Sequence, residues 1–332
     1  MAYIVNTSFD IYRSLSVDLD AEQVKTARKS RDYLVGQIET VANNDSYFPT
    51  LYGGYKSYGS FARSTKIRPL DDIDLLMLLN GKGTSSVQWS GTTYRLKVSE
   101  PTTAMKLLMN NDGHLNSIKV LNKFKSALAS VSNYRKADIK RNGVAVVLSL
   151  SSYDWVFDVV PAFPVGDGNN GTAYYLIPNG KGEWMRTDPR KDQDLITEVN
   201  KKHNGLLIPV IRLVKYWNMY RYSPPAISSY YLETMIIMSL RYSFSTLSSI
   251  KSAIPTVFSN LSSSVLTTCP DPKGLGDNLD ADMSWDTRQK VSNAAREMAS
   301  YGNYALDAEN RGDHKTAIQY WLSIFPNFPA YG

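Results

Sequence analysis

The chain has 332 residues, 43% of them apolar and 20% charged, the composition of an ordinary soluble globular protein of about two domains. Its 37 Lys and Arg against 31 Asp and Glu give a net charge of +6, which favours polyanionic ligands such as nucleotides over acidic partners. The single Cys269 excludes an internal disulfide and a zinc site of several thiolates, and no apolar run approaches the roughly 18 residues of a membrane span.

The opening MAYIVNTSFDIYRSL carries no secretory pattern, so a cytoplasmic protein without a membrane partner is expected. Residues 20–41 read as an amphipathic helix, with Val24, Ala27, Leu34, Ile38 and Val41 at helical spacing. Gly59-Ser60 follows a short extended stretch and opens a helical turn, where free backbone N–H groups suit phosphate. Arg63, Lys66 and Arg68 add positive charge nearby. From Asp72 onward DIDLLMLL reads as a buried strand. TTYRLKVS predicts another strand, HLNSIKVLNKFKSALASV a second amphipathic helix, and VAVVLSL and DWVFDVVPAF two further strands. YYLIPNGKGEWMRTD predicts a hairpin turning at Asn179-Gly180.

Beyond residue 192 the pattern becomes helical, through DQDLITEVNKKH, LLIPVIRLVKYWNMYR, SSYYLETMIIMSLRYSF and finally HKTAIQYWLSIF. Pro209 fits a first helical turn, and Pro255 is expected to break the serine-rich segment that contains it. The expected architecture is therefore α+β: an N-terminal lobe over residues 1–205, a helical lobe over 206–332, and an active site in the cleft between them.

The chemistry lies in the carboxylates. Asp72 and Asp74 share one face of a strand, where like charges repel and desolvation raises the cost further. Asp158 interrupts a second apolar strand with no Lys or Arg beside it in sequence. If the two strands are neighbours with matching faces, three carboxylates converge, and divalent cations would neutralise them. Mg²⁺ takes such hard oxygen ligands together with substrate phosphates, and two ions would serve a phosphoryl-type transfer, with Mn²⁺ able to replace them. Asp154 has the same strand parity and is the rival third ligand; Asp158, with apolar neighbours on both sides, is preferred. NGKGTSS and PNGKGEW lack the full spacing of a phosphate-binding loop and read as turns. His114, His203 and His314 lie in different elements, against a histidine-based site.

Gly59-Ser60, Asp72-Ile73-Asp74 and the lone Asp158 together resemble the nucleotidyltransferase superfamily of DNA polymerase β type. IRLVKYWN resembles the corresponding helix of oligoadenylate synthases, and SSYYLE the Ser-Tyr segment of cyclic GMP-AMP synthase. WMRTDP and the tail HKTAIQYWLSIFPNFP resemble the bacterial cGAS/DncV-like nucleotidyltransferases (CD-NTases) of anti-phage signalling. The resemblance implies a polymerase-β-like core packed on an oligoadenylate-synthase-like helical lobe. It implies that Asp72, Asp74 and Asp158 bind two Mg²⁺ ions, and that Gly59, Ser60, Lys215 and Ser229 hold nucleotide phosphates while Tyr230 stacks on a base. Ser64-Thr65 stands where oligoadenylate synthases carry Gly-Thr, and the zinc insertion of the animal enzyme is absent.

The implied function is a template-independent joining of nucleoside triphosphates, ATP among them, into a cyclic di- or trinucleotide messenger of antiviral defence, with pyrophosphate released and no nucleic acid required. Two alternatives use the same residues: a toxin that nucleotidylates tRNA or protein, and a catalytically silent nucleotide- or RNA-binding module. An intact set of three repelling acids argues against the last. The resemblance also implies a conjugating or regulatory partner at the terminal Gly332.

Overall fold

The computed structural model describes residues 4–166, 168, 171–224 and 226–331. Its helices are α1 (Val5–Tyr12), α2 (Ala21–Asn44), α3 (Gly59–Ala62), α4 (Thr103–Leu108), α5 (Ser117–Ser130), α6 (Pro189–Lys202), α7 (Leu207–Tyr220), α8 (Ser229–Arg241), α9 (Ile250–Ser264), α10 (Trp285–Asn310) and α11 (His314–Ile324). Its strands are β1 (Leu51–Tyr58), β2 (Asp72–Leu79), β3 (Thr84–Ser90), β4 (Thr93–Val98), β5 (His114–Leu115), β6 (Asp138–Asn142), β7 (Ala145–Ser149), β8 (Val156–Gly166), β9 (Thr172–Pro178) and β10 (Trp184–Thr187). These elements form two compact units. One comprises residues 21–62 and 70–189; the other comprises the segment up to residue 20, residues 63–69, and the chain from 190 onward. The chain thus passes from one unit to the other several times.

The first unit is built on one sheet in the order β1-β2-β8-β9-β10-β4-β3, with β7 also paired to β8 and β6 to β7. Among the described residues only β2 and β8 run parallel, and their other pairings are antiparallel. β2 is apolar on both faces because both are covered, as expected of a central strand. Ile73, Leu75, Met77 and Leu79 are buried on one side, Leu76 and Leu78 on the other. Each such side chain contributes about 1.5–3 kcal/mol by leaving water. Leu76 and Leu78 pack with Val160, Ala162, Tyr175 and Ile177, and this apolar cluster continues the face on which Asp72 and Asp74 begin.

Long β8 pairs β2 and β7 with its first half and β9 with its second. The hairpin at Asn179-Gly180 is present, and the Asn179 side chain accepts from the Lys181 and Glu183 amides. The amphipathic helix near residue 120 begins at Ser117, where Asn116 caps it by accepting from the Ile118 and Lys119 amides at 2.9 and 3.1 Å. Three strands lie outside the sequence expectations: β3, whose polar residues read as a continuation of the preceding turn, the two-residue β5, read as the start of the helix that follows it, and β6, whose short DIKRN is charged and mostly exposed.

In the second unit the six helices from α6 onward share one core with α1. Phe9 meets Trp321, Phe325 and Phe328 edge-on, at centroid separations of 4.9, 6.2 and 5.0 Å, and the Tyr12 hydroxyl donates to the Pro326 carbonyl at 3.0 Å. Residues 63–69 are held in the same unit by polar contacts. Arg68 donates to the Asp18 and Ser14 carbonyls, and Arg212 to the Ser64 carbonyl and the Asp18 carboxylate. Arg68 therefore spends its guanidinium on backbone carbonyls of this unit.

Pro255 does not break its segment. It lies inside α9, where the missing N–H removes a single helical bond close to the N-terminus, and its ring is buried against α10. A Cβ on Gly302 of α10 would approach the Pro255 Cβ to 3.1 Å, so glycine there lets the two helices come together. Among the described residues, no helix is long and apolar enough to cross a membrane.

Candidate active site

The parallel register of β2 and β8 places Asp74 opposite Asp158 and Asp72 opposite Val156. Strand parity puts Asp72 on the same face as Asp74, two residues along. On the other flank of β2, antiparallel β1 sets Tyr58 opposite Asp74. One row across three strands therefore reads Tyr58, Asp74, Asp158. The Tyr58 phenol is pushed well above its ordinary range, first by burial and then by the charges of Asp74, Asp158 and Asp72. All three carboxylates thus act on one hydroxyl. Asp154 precedes β8 and is exposed, outside the paired register.

Gly59 ends β1 and opens α3 with φ of +73°, a conformation that L side chains rarely adopt. A Cβ added there would lie 1.7 Å from the Asp74 Oδ2. The Gly-Ser turn is thus pressed against the acid row, and only glycine fits. The row supplies hard oxygen donors without nitrogen or sulfur, the chemistry that Mg²⁺ selects. Among the described residues no three His, Cys, Asp or Glu side chains close into a complete metal-ligand group. What the register builds is an open row, the form suited to ions whose remaining positions are filled by substrate phosphates and water.

Lys215, Ser229 and Tyr230 belong to the helical unit. Ser229 and Tyr230 form the first turn of α8. Lys215, on α7, is buried, and its ammonium donates to the Glu233 Oε1 at 2.5 Å and to the Thr65 carbonyl at 2.9 Å. The other carboxylate oxygen, Oε2, accepts from Arg63 at 3.1 and 3.3 Å and from the Thr65 hydroxyl at 2.9 Å. Burial lowers the Lys215 pKa, the Glu233 charge opposes that shift, and Arg63 and Lys66 reinforce it. Glu233 was absent from the expected site although its signal was present: an acid within the apolar run YYLETMII, the same kind of interruption that marks Asp158. Arg63, expected to add positive charge near the Gly-Ser turn, pairs with Glu233.

The Tyr230 hydroxyl donates to the Asp192 Oδ1 at 2.7 Å and accepts from the Lys273 ammonium. Neither partner stands in a motif. His203 is buried and structural, its ring nitrogens engaged by the Leu240 carbonyl and the Leu247 amide.

No family model matches the chain. It is 39% identical, over 100% of its own length and 99% of the relative's, to a probable cyclic nucleotide synthase of Bacillus cereus (strain VD146). The chain belongs to the CD-NTase family of cyclic nucleotide synthases. This CD-NTase is also 24% identical to the cyclic AMP-AMP-AMP synthase of an Acinetobacter species, over 94% of the chain and 88% of the relative. In fold it matches E. coli CdnC, solved with a HORMA protein, at a TM-score of 0.70 with 17% identity, over 97% of this chain and 98% of that one. It matches the Vibrio cholerae cyclic AMP-GMP synthase DncV, a prokaryotic cGAS homologue, at 0.67 with 12% identity, over 97% and 96% of the two chains. The CD-NTase is accordingly a nucleotidyltransferase with a mixed sheet and C-terminal helices.

Proposed function

We propose that this CD-NTase joins nucleoside triphosphates, ATP among them, into a cyclic di- or trinucleotide that serves as a messenger in antiviral defence in the cytoplasm. The observation that carries the reading is the register that sets Asp74 opposite Asp158 with Asp72 on the same face. Adenylate as one building block is supported by the products in the names of the Acinetobacter and Vibrio proteins.

Asp72, Asp74 and Asp158 would hold two Mg²⁺ ions, which when bound supply charge neutralisation at the triphosphate and acidify the attacking ribose hydroxyl. Gly59 lets the chain pass against Asp74, so the Ser60 hydroxyl and the amides of this turn can receive donor phosphates beside the acid row. Lys215 supplies a positive charge from a buried pair, Ser229 a hydroxyl to phosphate, and Tyr230 an aromatic face to a base. The acid row would place a ribose hydroxyl in line with an α-phosphate, from which pyrophosphate departs. A regulatory protein partner is suggested by the HORMA complex of the CdnC neighbour. Gly332, the expected point of conjugation, lies outside the described residues.

The test is to incubate the protein with all four radiolabelled nucleoside triphosphates and Mg²⁺ or Mn²⁺, then treat with phosphatase. A resistant product that disappears in Asp72→Ala and Asp158→Ala supports the reading. Label carried instead onto added RNA or protein overturns it in favour of the toxin.

A further inference from the structure

Tyr230 is held by more groups than a half-buried phenol needs. One acceptor would satisfy its hydroxyl. Here the hydroxyl donates to Asp192, at the start of α6, and accepts from Lys273, in the loop between α9 and α10. The ammonium lies 2.5 Å from the hydroxyl oxygen and 4.4 Å from the ring centre, so it is nearest the hydroxyl end of the ring. The Arg63 Cζ lies over the ring at 5.4 Å, so the ring is steadied by a second cation besides Lys273.

Lys273 is itself fixed. Its ammonium pairs with the Asp271 Oδ1 at 2.7 Å and lies 3.6 Å from the Asp192 Oδ2. Asp271 in turn accepts from the amides of Lys273, Leu275 and Gly276, closing the loop on its own carboxylate. Lys191 donates to the Lys273 carbonyl at 2.7 Å. The charged ends are largely withdrawn from water, with the Lys273, Asp192 and Asp271 side chains only 14, 11 and 4% exposed. Arg63 also binds Glu233, which holds Lys215, so the aromatic ring and the buried ammonium share one polar network.

We infer that Lys273 and Asp192 are positioning residues that lock the Tyr230 ring as a preformed platform for the base of a bound nucleotide, so that the loop at residues 271–276 sets nucleotide affinity. The inference rests on the base-stacking role of Tyr230 proposed above. Locking the ring before binding removes an ordering cost from association, so the network acts on affinity while the acid row governs turnover.

The decisive experiment is a double-mutant cycle of Tyr230→Phe and Lys273→Met, with Lys273→Arg as the conservative variant. Two quantities are read: ATP affinity by calorimetry with Ca²⁺ in place of Mg²⁺, and KM with kcat for product formation. Each single variant is expected to weaken ATP roughly 3- to 10-fold, the worth of one hydrogen bond, and for Lys273→Met kcat is expected within about two-fold of wild type. The double variant should be no weaker than the weaker single, because both remove the same constraint, and Lys273→Arg should recover most of the loss. Effects that multiply in the double variant would overturn the inference. So would a Lys273→Met protein that melts earlier yet binds ATP as wild type does. A wild-type protein that binds ATP but forms no product would sink the synthase reading and leave the affinity cycle to decide this one. Failure to bind any nucleoside triphosphate would overturn both.

Discussion

Gly59 is the position where backbone and chemistry meet most closely. Gly59→Ala combines strain at φ +73° with a Cβ 1.7 Å from an Asp74 oxygen, so either the turn or the carboxylate must move. Displacing a positioned group by about 1 Å lowers rates on the order of 100-fold. The expected outcome is therefore a loss of at least that size in product formation, with a circular dichroism spectrum like that of wild type; full activity would show that the turn and the acid row are uncoupled. Glu233 invites a different substitution. Glu233→Gln leaves the buried Lys215 and Arg63 without their shared anion, and breaking a buried pair in this way costs about 3–5 kcal/mol. The sign with pH follows from Lys215. Its folded pKa is below 10.5 because burial outweighs Glu233, so above the folded value the unfolded chain binds more protons and stability rises with pH until 10.5 is reached. Removing the carboxylate lowers the folded pKa further and widens that window downward. Melting curves of the variant at increasing alkaline pH should therefore close part of the gap to wild type, and a constant gap would contradict this account of the pair.

At the scale of elements, α9 and α10 show how two unfavourable residues combine. Pro255 inside a helix and Gly302 in the middle of another are each poor choices alone. Together they bring the helices into contact, with 3.1 Å between the Pro255 Cβ and the position a Gly302 Cβ would take. Gly302→Ala gains about 1 kcal/mol of helix propensity, which offsets the crowding of Pro255 and leaves stability within about 1 kcal/mol of wild type. Gly302→Leu cannot be absorbed and should cost roughly 1–3 kcal/mol as overpacking. Urea denaturation of the two variants tests the pairing, and equal stability of the leucine variant would refute close packing there. The sheet carries a similar lesson. β8 changes partners along its length, so its first half displays Asp158 beside β2 while its second half is committed to β9.

At the scale of the whole molecule, the ends of the chain share a core. Phe9 and Tyr12 pack among Trp321, Phe325 and Phe328, and loss of one buried large aromatic costs about 3–5 kcal/mol. Removing residues 1–12 therefore takes away an amount comparable with the 5–15 kcal/mol stability of an ordinary domain. The truncated protein is expected to lose cooperative unfolding of its helical unit and to become protease-sensitive there; an unchanged melting profile would show that α1 only decorates the core.

The positions of the acid row were legible in the sequence because charges stand out among apolar residues: Asp72 and Asp74 open β2, and Asp158 lies within apolar β8. Glu233 obeys the same logic, and its apolar neighbours Leu232, Met235 and Ile236 marked it equally well. The helices from α5 onward were legible because their apolar faces repeat at the helical period, whereas β3 and β6 were hidden because edge strands with polar faces have no such pattern. Pro255 misled because local propensity cannot register a helix packed against it. Composition and periodicity, which depend on neighbours a few residues away, determined by themselves the α+β class, the main elements and the acids. The tertiary structure alone decided that Asp74 faces Asp158, that Glu233 holds Lys215, that Asp192 and Lys273 grip Tyr230, and that α1 joins the C-terminal helices. Each of these joins residues far apart in the chain, and such pairings are selected by strand register and packing, which exist only once the chain has folded.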